Sequence, residues 1–264
     1  MPNRWTYMGV GLFWLVMMGW LVQRDVLPAF RHRDPPSYAT VLARSPDEAP
    51  SRWTIELGGK RLGSAQTEVQ RNADGTLLWR GTVTLSELTF RNRPRSAVGI
   101  QSEFLIRDDK LSSFEITVRF DETERALEVR GVIAGRVLKL NARGPSLAYE
   151  KDFLFDPRDM LAGIMSPLDR LPGLHSGQTW FVRELNPFTV GALEGSRAEV
   201  TGTDDILWDG ELVRTWVVSR QHGGVQARIW VREDGTILRQ EMPMLWTMLT
   251  LVREPDHAPE ATDD

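Results

Sequence analysis

The residues that could carry chemistry in this sequence are few. Four histidines, His32, His175, His222 and His257, are the natural candidates for acid–base work or metal ligation. His32 and His257 fall in proline- and charge-rich flanks, and His222 in a glycine-rich turn. None has H-E-x-x-H or comparable metal-ligand spacing. His175 stands beside Ser176 in "GLHSGQTW", but a hydroxyl adjacent in sequence is a turn residue, and no G-x-S-x-G elbow exists to expose a nucleophile. Carboxylates are paired at Asp108/Asp109, Glu122/Glu124 and Asp204/Asp205, in polar turn contexts that solvate them rather than splitting their pKa values. The run Asp152, Asp156, Asp159 lacks the glycine and closing glutamate of a calcium loop. Cysteine is absent, which removes disulfides, thiol catalysis and thiolate-bound metals. Neither phosphate-binding glycine motif occurs. These residues predict no catalytic site, no metal and no cofactor.

Aromatic and thioether side chains remain, and their chemistry is apolar contact. The chain of 264 residues carries ten tryptophans. Trp79, Trp180, Trp208, Trp216, Trp230 and Trp246 all fall in or beside segments of strand character. Trp180, Trp216 and Trp230, with Met160 and Met165 from the middle of the chain, are the candidate ligand-binding set. Rings on a curved sheet can line a cavity for an acyl chain, or they can simply be core.

The elements that would position them have a dominant period of two. In "SFEITVRF", Phe114, Ile116, Val118 and Phe120 share one face, while Glu115, Thr117 and Arg119 share the other. Leu127, Val129 and Ile133 continue the alternation. Gly58-Gly59, Asp74-Gly75, Asp209-Gly210, Gly223-Gly224 and Asp234-Gly235, with "RDDKL" around Asp109, supply hairpin turns. The prediction is a mainly β domain over residues 52–253, a curved antiparallel meander of about ten or more strands, half-barrel in form. "ADGTLL" and "EDGTIL" echo one another and suggest half-sheets over 52–145 and 175–253. Between them, residues 153–174 place Met160, Leu161, Ile164, Met165 and Leu168 near helical spacing, with prolines at 157, 167 and 172. That predicts a short helix, either a lid over a pocket or a plug in the open face of the sheet.

The flanks set the address. Trp5 to Val22 is an uncharged run of 18 residues, about 27 Å as a helix, close to the hydrocarbon core of a bilayer. Residues 5–22 are therefore expected to form one membrane-spanning anchor, with Trp5, Trp14 and Trp20 among its membrane-facing residues and Trp5 and Trp20 near the interfaces. A cleaved signal peptide would have a shorter apolar run and a nearer small-residue site. Residues 23–51 read as a tether and 254–264 as a disordered acidic tail. Arg24, Arg31 and Arg33 after the span, against Arg4 before it, lean towards a cytoplasmic domain; the short leader points to export. The net charge of -4, with both signs mixed, gives no electrostatic footprint for a nucleic-acid partner.

"WTIELGGKRLGSAQTEV", "LHSGQTWFVRELNPFT", "VTGTDDILWDGELVRTWVV" and "IWVREDGTILRQEMP" resemble exported bacterial β-domains of the kind found N-terminal to transglutaminase-like domains. More distantly, they are similar to the LolA and LolB lipoprotein carriers. The resemblance covers about residues 52–253. It implies a curved sheet around an apolar cavity, a bacterial cytoplasmic-membrane protein with a periplasmic domain, and no transglutaminase activity, since no cysteine is present. The expected function is a non-enzymatic, single-pass, membrane-anchored β-domain that binds a hydrophobic ligand or lipidated client. The alternative is an accessory subunit docking on a larger membrane complex through its span and its β-domain.

Overall fold

In the computed structural model the described residues are 13–20, 36–43, 49–88, 96–120, 124–145, 147–157, 160–162, 167–185, 193–222, 225–244 and 247–256. Among the described residues fifteen strands form one sheet. They are β1 (Ser51–Leu57), β2 (Lys60–Arg71), β3 (Leu77–Leu88), β4 (Ser96–Arg107), β5 (Lys110–Phe120), β6 (Glu124–Ala134), β7 (Val137–Gly144) and β8 (Leu147–Leu154), then β9 (Met160–Ala162), β10 (Thr179–Leu185), β11 (Leu193–Trp208), β12 (Glu211–His222), β13 (Val225–Arg232), β14 (Ile237–Met244) and β15 (Thr247–Arg253). The order runs from β8 down to β1, then from β15 down to β9, so the first and last strands pair at the seam. Every pairing is antiparallel except β9 with β10.

Covalent geometry dictates the curvature. Five residues, 155–159, join the two edge strands β8 and β9. They can span at most about 23 Å, whereas fifteen strands laid flat would separate those edges by about 67 Å. The sheet must therefore bend back on itself, as its right-handed twist favours.

Turn chemistry places the strands. Asp108 and Asp109 have φ of 51° and 59°, and Asp209 and Gly210 have 51° and 79°, the positive values a two-residue hairpin needs. The Asp74 and Asp234 turns are bonded alike. The Asp74 carboxylate accepts from the Thr76 N–H at 3.0 Å and Asp234 from the Thr236 N–H at 2.9 Å.

The concave face carries the core. Trp53, Trp79, Trp180, Ile55, Ile100 and Ile116 are all fully buried. Trp79 stacks on Phe104 with ring centroids 4.8 Å apart, and Phe114 lies over its cross-strand partner Gly131, where a Cβ would meet the ring at 2.2 Å. Each such large side chain contributes about 1.5–3 kcal/mol by leaving water.

Three expectations are corrected. Among the described residues of 153–174 there is no helix: Met160–Ala162 is strand β9, and 167–174 runs extended as a strap. Pro167 and Pro172 interrupt any helix, and the sheet offers the backbone better partners. Gly235 O accepts from the Leu171 N–H at 2.7 Å, and Asp169 O from the Ile237 N–H at 2.9 Å. The expected tether is docked where it is described. Ser37 caps one helical turn, Tyr38–Val41, and Tyr38, Val41 and Leu42 enter the core from one side of that turn. The tail is held at its start, where Arg52 O accepts from the Glu254 N–H; residues 257–264 lie outside the described set.

Most of the expected span, 5–22, also lies outside it. Residues 13–20 are helical and every one of them is exposed. Among the described residues no helix is long and apolar enough to cross a membrane.

Candidate functional site

The register separates the expected ligand-binding set. Trp180 faces Ala198 across β10–β11, and Ala198 faces Arg220 across β11–β12. Trp216 lies an even number of residues from Arg220 on β12, so Trp180 and Trp216 share the concave face. Trp180 is only 2% exposed, and Trp216 is half-buried against the core. Trp230 pairs with Val217 and therefore points to the convex face. There its indole N–H donates to Asp204 Oδ2 at 3.1 Å, with the Arg228 and Arg239 guanidiniums 5.6 and 5.3 Å from its ring. Side chains alternate along β13, so Trp230 falls on the other parity from Trp180 and Trp216 and is not brought together with them. The Met160 backbone lies opposite Val182; its side chain and all of Met165 fall outside the described residues, as does Trp5. Trp14 and Trp20 are exposed on the helical segment 13–20.

The two ends of the curved sheet differ. At the end carrying the Asp74, Asp108, Asp209 and Asp234 turns, three segments close the concave side. The Tyr38–Val41 turn is tied by the Ala39 N–H to the Asp109 carboxylate. The stretch 155–157 buries Phe155 and accepts from Leu111 N–H through Pro157 O. The strap buries Leu168, Asp169 and Leu171. At the opposite end the concave residues Leu57, Phe120, Leu127, Leu147 and Met242 pack on the core yet remain half-buried. They form an apolar rim.

Beneath the strap lies a polar group that sequence reading missed. Thr67 Oγ1 donates to Asp169 Oδ1 at 2.6 Å, Gln240 Nε2 donates to Leu168 O at 3.2 Å, and Arg253 Nη1 stands 3.9 Å from Asp169 Oδ1. Arg253 also lies 6.0 Å from the ring of Trp53, its partner across β1–β15. The indole N–H groups of Trp53 and Trp180 and Arg253 Nη1 are buried without a hydrogen-bond partner. The signal for Arg253 was present: it follows Leu249 and Leu251 on the buried parity of β15.

The Asp234 turn is the most electrostatically settled part of this end. Burial alone would raise the Asp234 pKa, but the Arg232 side chain and the Thr236 backbone and side chain outweigh it and lower it to about 2. The same hydrogen bond raises the Arg232 pKa. Asp74, in the twin turn, is lowered by the Thr76 hydroxyl first and its backbone N–H second. His175 is half-buried, with Nδ1 3.5 Å from Gly173 O, while Ser176 is exposed. Among the described residues no three His, Cys, Asp or Glu side chains group as a metal site.

No protein-family model matches the chain. No curated protein matches it either. Among solved structures it is similar to a beta-barrel-like protein of the domain of unknown function DUF1849 from Brucella abortus. The identity is 10%, over 78% of this chain and 94% of that one, with a TM-score of 0.49.

Proposed function

We propose that this chain is a non-enzymatic β-domain, anchored by one N-terminal span in a bacterial cytoplasmic membrane, that receives a hydrophobic ligand or lipid-modified client at the rim. The observation that carries the reading is the inequality of the two ends. One is closed by the Tyr38 turn, Phe155 and the strap, whereas the other leaves Leu57, Phe120, Leu127, Leu147 and Met242 half in water. Half-buried apolar side chains gain by accepting an acyl chain, each burying the remainder of its surface at about 25 cal/mol per Å². The segment 13–20 supports the anchor, since Phe13, Trp14, Leu15 and Val16 are exposed around a helix with no polar face. The domain side is assigned to the periplasm on the resemblance to exported domains.

Native mass spectrometry of the full-length protein, released gently from its own membranes, tests the binding. The expected result is one retained small apolar mass that Phe120→Asp and Leu147→Asp abolish and Leu212→Asp does not. Retention of no small molecule, or retention indifferent to the rim substitutions, overturns it. An alkaline-phosphatase fusion at the C-terminus, active only if exported, tests the side.

A further inference from the structure

The β11–β12 hairpin is longer than the sheet that holds it. Beyond the β13 pairing, which ends at Thr215 with Arg232, residues 205–208 and 211–214 pair only with each other. This free arm is fixed rather than loose. Trp208 Nε1 donates to Arg253 O at 2.8 Å, Thr215 Oγ1 donates to Asp204 O at 2.9 Å, and Asp204 accepts from Trp230. Those contacts use the side of the arm that carries Asp204 and Trp208. The other side presents Leu207 and Leu212, directly opposite one another, 72% and 78% exposed. With Leu154 at the end of β8, 73% exposed, they are the three most exposed large hydrophobic residues of the β-domain among the described residues. About the tip stand the exposed carboxylates Asp205, Asp209 and Glu211; Arg214 faces Asp205 across the hairpin on the leucine side, while Glu211 faces Trp208 on the other, where the Arg232 guanidinium lies 6.0 Å from the Trp208 ring.

We infer that this arm is a docking element for a protein partner with an apolar slot rimmed by basic side chains. A rigid hairpin loses little conformational freedom on binding, and a paired leucine tip is shaped to enter a slot. The charge selects among occupants. A second copy would bring the same acidic tip against this one, and an anionic bilayer surface repels three carboxylates; a cationic rim is complementary to them. The inference rests on the arm and not on the rim.

The test places a photo-reactive benzoylphenylalanine at Leu212 in the full-length protein in its own membranes and maps the adduct by mass spectrometry. The expected adduct lies on another protein, at apolar residues flanked by Lys or Arg, and falls at least tenfold in a D209K/E211K background. It persists in a Phe120→Asp background, which disables the rim alone. An adduct to lipid, an adduct to a second copy, no adduct, or one indifferent to the charge reversal overturns the inference. Leu207, Leu212 and Glu211 are exposed, so an unchanged urea midpoint is the expected folding control for their variants; Asp209 has φ of 51°, so D209K is expected to lower the midpoint slightly through the turn alone, and E211K by itself is the matched charge control.

Discussion

Arg253 Nη1 stands 3.9 Å from the Asp169 carboxylate, with each side chain only 4% exposed. The pair ties the strap to the last residue of β15, next to the seam with β1. Its other carboxylate neighbour, Asp256 at 3.4 Å, is 68% exposed and screened by water. Removing Asp169 would leave a buried guanidinium with little compensation and take an acceptor from the Thr67 hydroxyl. Asp169→Ala is expected to cost about 3–5 kcal/mol in urea unfolding. The double replacement Asp169→Leu with Arg253→Met is expected to cost less than the single one, because no buried charge is stranded. A double variant at least as unstable as Asp169→Ala would mean the two charges are not coupled.

Gly235 meets the strap from the other side. Its φ is 87°, and a Cβ there would fall 2.7 Å from Pro172 Cα. Gly75, in the twin turn, has φ of 83° and nothing within 4 Å of the same position. Gly75→Ala should therefore cost only the conformational term, about 1–2 kcal/mol, while Gly235→Ala should exceed it by a further 1 kcal/mol or more as the strap is pushed away. Matched thermal melts of the two variants compare the strap contact, since the backbone bonds within the two turns correspond.

Asp234 makes the same turn pH-dependent. Its folded pKa, about 2, is below the ordinary 3.8, so the folded state holds the carboxylate charged more strongly than the unfolded chain does. Its contribution is fully present above about pH 4 and is lost as pH falls towards 2. The side chain is 48% exposed, so screening keeps the contribution well below the nominal 1.4 kcal/mol per unit. Chemical denaturation of the wild type and Asp234→Asn should differ at pH 6 and converge near pH 2. A gap that widened on acidification would reverse the assignment.

The hairpins were legible because their causes are local. Asp209-Gly210 and Asp234-Gly235 carry the φ values in their own residue types, and the alternation in "SFEITVRF" reappears as the buried Phe114, Ile116 and Val118. The strap was not legible, because its backbone is satisfied by Gly235 and Ile237, more than sixty residues away, and the spacing of its apolar residues suits a helix equally well. Tyr38, Val41 and Leu42 were hidden by the prolines around them. Nothing in the local pattern distinguishes a docked turn from a tether. The face of Trp230 was not legible for a different reason: residue type gives its size, while only the register from β12 gives its face. The Leu207–Leu212 pair needed both the turn and the length of β13, and the second is a property of the assembled sheet.

The free edge at β8 has a charge pattern that acts against self-pairing. Two copies adding β8 to β8 antiparallel must be related by an axis perpendicular to the sheet, so residues of equal parity face one another. In the three central registers Lys151 then meets Tyr149, Lys151 or Phe153, and Glu150 correspondingly meets Glu150, Asp152 or Leu154 of the second copy. Lys151 points to the concave parity, opposite Leu140, and lies 5.1 Å from the Phe153 ring; Glu150 and Asp152 occupy the convex parity. Like charges directly opposite are destabilising, and an inward charge on an edge strand discourages addition. Replacing the three with Glu150→Thr, Lys151→Val and Asp152→Thr leaves the β7–β8 ladder intact but removes every like-charge clash. That variant is expected to associate in light scattering at concentrations where the wild type stays dispersed. Reinstating Lys151 alone should restore part of the dispersion, because it opposes itself in the central register and places an inward charge on the edge in every register. If the triple variant scatters like the wild type, the edge is protected by something other than these charges.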